Sequence, residues 1–238
     1  MLLWNPRACV PSTILGLHLH DHEFRCCLRY WLGVPLHSSP YPCPECRLIA
    51  DPFGDHQVGC GGNGDRIARH NAIRDVIFAA AQSAALAPSK ETPGLVPGSQ
   101  ARPGDIFLPC WSLGRPTAFD VHVISPLQEL TIAQAAQTPG HALQVGVKRK
   151  LTSNLSACRS SGTDFVPLVA ETLGGLAEDT ISTIQNISRA FDIRCGTTDS
   201  SPTSGHLFGR LAIALWRGNA SLWLHRLPTL PPSLDGVV

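Results

Sequence analysis

The sequence predicts a mixed α/β domain that carries a small cysteine- and histidine-rich module on its N-terminal side. Three observations lead to this expectation: a metal-ligand spacing in residues 43–60, strand-like apolar segments within residues 105–125, and helical periodicity on both sides of them. The resulting order of helix, strand, strand, helix, strand and helix is typical of a mixed sheet flanked by helices. A chain of 238 residues is long enough for one core of ordinary size and a small appendage.

Composition excludes global disorder and does not indicate a strongly basic nucleic-acid binder. Apolar residues make up 43% of the chain, and the formal net charge is +1. No apolar run reaches the roughly 18 residues that cross a bilayer, so no membrane partner is expected. The nine cysteines are an odd number, and Arg7 precedes an apolar run too short for a secretory signal. We therefore expect a reducing intracellular compartment, where clustered cysteines are read as metal ligands before disulfides.

Helical periodicity is clearest between Asp65 and Leu86. Apolar residues spaced three and four apart share one face there, and we expect this face to pack on the sheet. The stripe consists of Ile73, Val76, Ile77, Ala80 and Ala84. Further helices are predicted at residues 23–33, 130–137, 141–158, 177–191 and 206–224.

Two strands joined by a short turn are predicted at residues 105–113 and 117–125, and a third, buried strand at 165–171. The tripeptide between the first two strands favours a hairpin. The predicted helix at 141–158 is long enough to cross over between parallel strands. The sequence therefore predicts a small sheet with both antiparallel and parallel pairs.

A spacing typical of a zinc site lies within residues 43–60. Cys43 and Cys46 form a tight CxxC, His56 follows after nine residues, and Cys60 follows after three more. Thiolates and imidazole nitrogen are the ligands of tetrahedral structural zinc. A reduced, metal-free loop is the alternative interpretation, and His70 is an alternative ligand.

Acidic residues on the two hairpin strands form a second candidate site. Asp105 opens one strand, and Asp120 lies within the next, in an apolar stretch where a buried acid needs a partner. Two carboxylates on adjacent strands can bind one Mg²⁺. His122 shares a face with Asp120, because strand side chains alternate. The alternative interpretation is a turn acid at 105 and a solvated strand acid at 120.

The order of short motifs resembles a known family. CxxC, GDHxxxC, RHN, a lone glutamate, RPGD and FDVHV follow one another here as in certain non-LTR retrotransposon proteins. These proteins carry a CCHC knuckle followed by a restriction-like endonuclease of the PD-(D/E)XK superfamily. The resemblance covers about residues 28–175, and its motifs are moderately specific only as a set. It implies a PD-(D/E)XK restriction-endonuclease-like mixed sheet, structural Zn²⁺, catalytic Mg²⁺ and cleavage of DNA, with RNA as a further partner, in the nucleus.

The resemblance also implies roles for individual residues. Asp105 matches the acid of the PD motif, Asp120 the acid of the second motif, and Glu91 an acid upstream of both. His122 stands where the superfamily usually has lysine, and Lys150 on the following helix matches a substitute for that lysine. Gly104 interrupts the PD pair, and Ser153-Asn154 replaces a Lys-Tyr pair. These departures keep a catalytically inactive, zinc-containing nucleic-acid-binding module as the alternative function.

Basic and aromatic residues outside these motifs complete the prediction. Arg69 and His70 near the start of one helix, and Lys148 and Arg149 on another, are expected to contact phosphates. Trp216 and Trp223 have a helical spacing that is more often core than a base-stacking surface. The predicted organisation is a lead-in at 1–40, a knuckle at 41–65, a nuclease core at 66–175, and C-terminal helices with a Pro-rich tail at 176–238.

Overall fold

The computed structural model describes residues 12–14, 16–62, 64–96, 101–129, 131–197 and 203–227. It confirms a mixed α/β chain in which helices flank a four-stranded mixed sheet. The predicted Pro-rich tail lies outside the described residues. No helix in the described ranges is both long enough and apolar enough to cross a membrane. The elements are α1 Asp21–Trp31, β1 Tyr41–Pro42, β2 Ile49–Ala50, α2 Asp55–Gly59, α3 Asp65–Ser83, β3 Ser89–Lys90, β4 Ile106–Leu108, β5 Thr117–Ile124, α4 Ile132–Ala135, α5 His141–Ser160, β6 Asp164–Glu171, α6 Glu178–Cys195 and α7 Thr203–Leu224.

The sheet has the order β3-β4-β5-β6. Its first three strands pair antiparallel, and β5 pairs with β6 in parallel through the crossover helix α5. The predicted hairpin and crossover are both confirmed. Strand β4 is shorter than expected, because Pro109 follows it directly and cannot donate a hydrogen bond to the sheet. A 3-10 turn at Ser112–Gly114 then leads into β5.

The apolar stripe of α3 packs on one face of the sheet, as predicted. Ile73 and Ile77 are buried in the same cluster as Phe119 and Val121 of β5, and Val76 and Ala80 pack against that cluster. Helices α6 and α7 contribute to this cluster as well, and α7 contacts α3, α1 and α6. Trp216 and Trp223 of α7 are buried in it, so the interpretation of these tryptophans as core is confirmed.

Helix α5 covers the opposite face of the sheet with residues spaced four apart. This spacing places them on one side of the helix. Ala142 and Cys158 belong to small apolar clusters at the two ends of the contact, and Gly146 lies between them. A Cβ atom at Gly146 would lie 2.8 Å from Cγ1 of Val169 and 3.3 Å from Cδ2 of His122. The missing side chain therefore lets α5 lie close to the sheet.

We expect Gly146→Val to destabilise the chain by about 1–3 kcal/mol, because the added atoms would overlap a β-branched neighbour in a packed core. Gly64→Val is the matched control, since a Cβ atom at Gly64 meets nothing within 4 Å. Urea unfolding of both variants measures the difference. Equal losses would contradict the close approach of α5 to β6.

Candidate metal centre and acidic cleft

The first two cysteine ligands lie on a tight hairpin between β1 and β2. The backbone N–H of Cys43 donates to the carbonyl of Leu48 at 2.8 Å, and the N–H of Arg47 donates to the carbonyl of Cys43 at 2.8 Å. Arg47 has a φ of 64°, a left-handed conformation that closes the turn. The hairpin thereby holds Cys43 and Cys46 on the same turn.

The other two ligands are placed by α2. The Asp51 carboxylate accepts the backbone N–H groups of Phe53, Gly54, Asp55 and His56 at 2.7–3.2 Å. Burial raises the pKa of Asp51, but these four N–H groups outweigh burial and hold the pKa below its ordinary value. The ionised Asp51 fixes the start of α2, and this short helix presents His56 near its start and Cys60 just after its end.

The four donors converge. The donor atoms of Cys43, Cys46, His56 and Cys60 all lie within 4.8 Å of one another. The sulfurs of Cys43 and Cys60 are 3.9 Å apart, and the Cys46 sulfur is 3.3 Å from Nε2 of His56. A tetrahedral zinc with sulfur bonds of about 2.3 Å would separate its sulfurs by about 3.8 Å. The cluster could therefore bind zinc, and the predicted convergence of these four residues is confirmed.

The hairpin brings Asp105 and Asp120 together. Ile106 pairs with Phe119, and one further step of this register places Asp105 opposite Asp120. Oδ2 of Asp105 accepts the backbone N–H of Val121 at 2.6 Å, and the register places the two carboxyl groups on the same face of the sheet. A Cβ atom at Gly104 would lie 2.9 Å from the carbonyl oxygen of Phe119. The glycine that interrupts the PD pair is thus required for this close approach.

Two helices bracket the acidic pair. Nε2 of His70 on α3 lies 3.1 Å from Oδ1 of Asp105. On α5, Nζ of Lys150 lies 2.8 Å from Oδ2 of Asp120, and the side-chain amide of Asn154 donates to the same oxygen at 3.2 Å. Each carboxylate therefore has its own nitrogen partners.

The two acids have pKa values shifted in opposite directions. Burial raises the pKa of Asp120 to about 6, with the negative charge of Asp105 acting in the same sense and the Lys150 ammonium opposing it. Burial also raises the pKa of Asp105, but its hydrogen bonds with His70 and Val121 and the charge of His70 outweigh burial and leave the pKa below its ordinary value. A close acidic pair with separated pKa values is common at functional sites.

His122 lies beside the acidic pair but is not a cation. Burial and the nearby charges of Lys150, Arg149, His70 and Arg66 lower its pKa to about 4. Its Nε2 is buried without a hydrogen-bond partner in the structure. His122 is therefore neutral near pH 7 and does not supply the positive charge that the motif resemblance leads one to expect at this position. Lys150 places an ammonium group on Asp120 instead.

Glu91 lies next to the hairpin but belongs to a different set of contacts. It has a φ of 44°, and its backbone N–H donates to the carbonyl of Asp105 at 3.0 Å. Its carboxylate is bound by Arg74 at 2.6 Å and by Arg102 at 2.9 Å. Within the described ranges, three or more histidine, cysteine, aspartate or glutamate donors lie close together only in the Cys3His cluster. Glu91 does not join Asp105 and Asp120 in a second group of that kind.

The expected phosphate contact of Arg69 requires correction. Arg69 is buried, and its guanidinium donates to Oδ1 of Asn219 at 2.7 Å and to the carbonyl of Val58 at 3.3 Å. Arg69 thereby connects α3 to α7 and α2. Its bulky side chain packs against Gly218, where a Cβ atom would lie 2.4 Å from Cγ of Arg69. His70 turns toward Asp105 rather than the zinc ligands, which removes it as an alternative ligand.

Other basic residues remain accessible, and two of them, Arg66 and Arg149, form a basic rim near His122 and the acidic pair. Lys148 and Arg149 are exposed on α5, as phosphate contacts would require. Arg66 is exposed on α3, where it donates to the carbonyl of Gly59 at 2.9 Å. Asn154 was not predicted to be a site residue, although its spacing of four from Lys150 places both on one helix face.

No protein-family model matches the chain, and a search of curated proteins returns no match.

Proposed function

We propose that this chain is a metal-dependent DNA endonuclease with a PD-(D/E)XK-type sheet and a zinc-stabilised N-terminal module. The observation that carries the proposal is the pair Asp105 and Asp120 on adjacent strands, with Lys150 of the crossover helix on Asp120. A buried acid needs a partner, because a charged carboxylate loses hydration when it leaves water, and Lys150 is the partner of Asp120 here. The motif resemblance assigns the same three residues to the nuclease site.

The residues of the pair fit a magnesium ion. Carboxylate oxygens are the hard donors that Mg²⁺ prefers. Burial and, after it, the charge of Asp105 raise the pKa of Asp120, and a divalent ion would stabilise the ionised form against both. Asp105 and Asp120 would hold the ion. When bound, it would activate water and stabilise the charge that develops on a scissile phosphodiester.

The chain's own cations would bind and orient the phosphate. The Lys150 ammonium is one quarter exposed, so it can bond to Asp120 and still face an incoming phosphate oxygen. His70 is accessible to a similar extent and would hold Asp105 in place through its 3.1 Å contact. Arg66, Arg149, His70 and Lys150 all act on the pKa of His122, so positive charge is concentrated here although the net charge is +1.

A second candidate is a catalytically inactive, zinc-containing module that binds nucleic acid. The specific observation in its favour is that two arginines neutralise Glu91, while His122 is held neutral in place of the usual lysine. Both candidates use the same basic rim, and both place the chain on DNA or RNA in the nucleus. They differ only in whether the acidic pair cleaves.

A plasmid-nicking assay tests the proposal. We expect zinc-loaded protein to nick supercoiled DNA when Mg²⁺ or Mn²⁺ is added and to leave it intact when both are omitted. Asp105→Asn should remove the activity by at least about 100-fold, because it deletes a metal ligand. Asp164→Asn is the matched control, since this acid lies at the start of β6 and bonds to Arg115 at 2.8 Å.

The same assay separates the two candidates. DNA binding without cleavage of duplex, single-stranded or branched DNA would replace the endonuclease proposal by the binding module. Equal activity of Asp105→Asn and the wild type would show that cleavage, if present, does not come from this pair.

A further inference from the structure

The last turn of α7 docks on the cysteine- and histidine-rich module. Trp223 is 1% exposed, and its indole N–H donates to the carbonyl of Gly54 at 3.0 Å. A Cβ atom at Gly54 would lie 2.6 Å from that indole nitrogen, so only glycine permits the contact. The beginning of α2 is therefore held by a residue about 170 positions later in the chain.

Arg226 extends this contact to the metal ligands themselves. Its side chain is 0% exposed, and its guanidinium donates to Oδ2 of Asp65 at 2.9 Å and to the carbonyls of Leu222 at 3.1 Å and Cys60 at 3.5 Å. In return, the Tyr41 hydroxyl donates to the backbone carbonyl of Arg226.

Charge explains why an arginine is buried here. A guanidinium without water needs anionic partners, and Asp65 supplies one. The Cys3His cluster supplies a second, because three thiolates outweigh the charge of Zn²⁺ by one. Arg226 reaches the cluster through the backbone carbonyl of Cys60, the ligand farthest along the chain from the hairpin.

We propose that Arg226 is a positioning residue of the zinc centre: it holds Cys60 through the backbone carbonyl of that ligand, places a buried positive charge beside the anionic cluster, and so couples zinc binding to the docking of α7 on α3. Asp65 opens α3, Cys60 follows α2, and Arg226 follows α7, so a single guanidinium joins the three helices. Coupling of this kind is reciprocal. Zinc stabilises the docked end of α7, and the docked Arg226 strengthens zinc binding.

This inference goes beyond the proposed function, because it requires zinc but neither magnesium nor DNA. It also accounts for a residue that motif spacing cannot identify. Outer partners that bond to metal ligands commonly change metal affinity by about 10- to 100-fold. We expect Arg226 to act in this range.

Competition against a chromophoric chelator measures the zinc affinity of the full chain. Arg226→Gln should weaken zinc binding by about 10- to 100-fold, and Arg226→Lys, which keeps the charge, should recover part of the loss. His225→Gln is the matched control, because His225 bonds to Asp65 at 3.1 Å but is 60% exposed. Its zinc affinity should equal that of the wild type.

Unfolding with and without zinc separates this role from ordinary packing. If Arg226 only packs, Arg226→Gln lowers stability equally in both forms and zinc affinity is unchanged, which overturns the inference. If Arg226→Gln does not fold, Arg226→Lys decides the question by the same comparison. Hydrogen exchange adds an independent readout: zinc removal should expose the amides of residues 219–226 and leave those of β5 protected.

The outcomes also distinguish this inference from the proposed zinc site. A wild-type chain that binds no zinc would remove both. A wild-type chain that binds zinc as tightly as its Arg226 variants would remove the coupling alone and leave the zinc site and the nuclease proposal in place.

Discussion

Asp120→Asn is expected to abolish Mg²⁺-dependent nicking and, at the same time, to stabilise the chain at pH 7. The loss of activity, at least about 100-fold, follows from removing a carboxylate ligand of the proposed ion. The gain in stability, about 1–2 kcal/mol, follows from removing a buried charge whose folded-state pKa is about 6. Few substitutions stabilise a protein, so a variant that does so while losing activity indicates a functional residue.

The pH dependence of the free energy of unfolding follows from the raised pKa of Asp120. The ordinary pKa of an aspartate is 3.8 and the folded value for Asp120 is about 6, so the folded state takes up a proton first as pH falls. Wild-type stability should therefore rise relative to Asp120→Asn as pH falls from 6 to 4, and the difference should be constant above pH 7. Asp105 has a lowered pKa, so its own contribution to the pH dependence has the opposite sign.

Urea unfolding in zinc-containing buffer without magnesium measures these differences. The asparagine amide can still accept a hydrogen bond from Lys150, so the variant preserves the shape of the site. Asp164→Asn again serves as control and should not show the gain in stability at pH 7. An Asp120→Asn variant that cleaves normally, or that loses stability at pH 7, would contradict the assignment of a strained acidic pair.

The parts of the fold that follow local rules could be predicted from the sequence. The stripe on α3 has one unbroken helical period, and the strands of the hairpin are close in sequence, so both are visible within short windows. The Cys3His ligands also lie within eighteen residues of one another, counted from Cys43 to Cys60. Each of these patterns lies within a short stretch of sequence and does not depend on contacts between distant residues.

The parts that depend on long-range contacts could not be predicted. In the sequence alone, Arg69 cannot be distinguished from a phosphate-binding arginine. Its hydrogen bonds to Asn219 and Val58 show that it is buried and joins helices instead. Glu91 has the residue type and position expected of a third site acid. Its carboxylate is instead bound by Arg74 and Arg102, which only the fold reveals. In both cases the partner that decides the role lies elsewhere in the fold, and residue type and spacing do not reveal it.

Loss of zinc is expected to have the second large effect, confined to the module and to the end of α7 that docks on it. The module's own apolar cluster consists of Tyr41, Cys43, Ala50 and Cys60, with Cys46 packed against it. Three of these five residues are metal ligands, so too little apolar surface remains to hold residues 41–62 together without the ion. Cys43→Ser should therefore lose tight zinc binding and should leave these residues open to hydrogen exchange and proteolysis.

The sheet should survive this substitution. Its main cluster draws on α3, β5, β6, α6 and α7, and Val58 is the one residue of α2 within it. Cys110→Ser is the matched control, because Cys110 is an exposed free cysteine outside the metal cluster. Hydrogen exchange of Cys43→Ser should show protected amides in β5 and β6 together with unprotected amides at 41–62. Uniform loss of protection across the chain would instead show that zinc is required for the whole core, and an unchanged pattern would show that the module folds without metal.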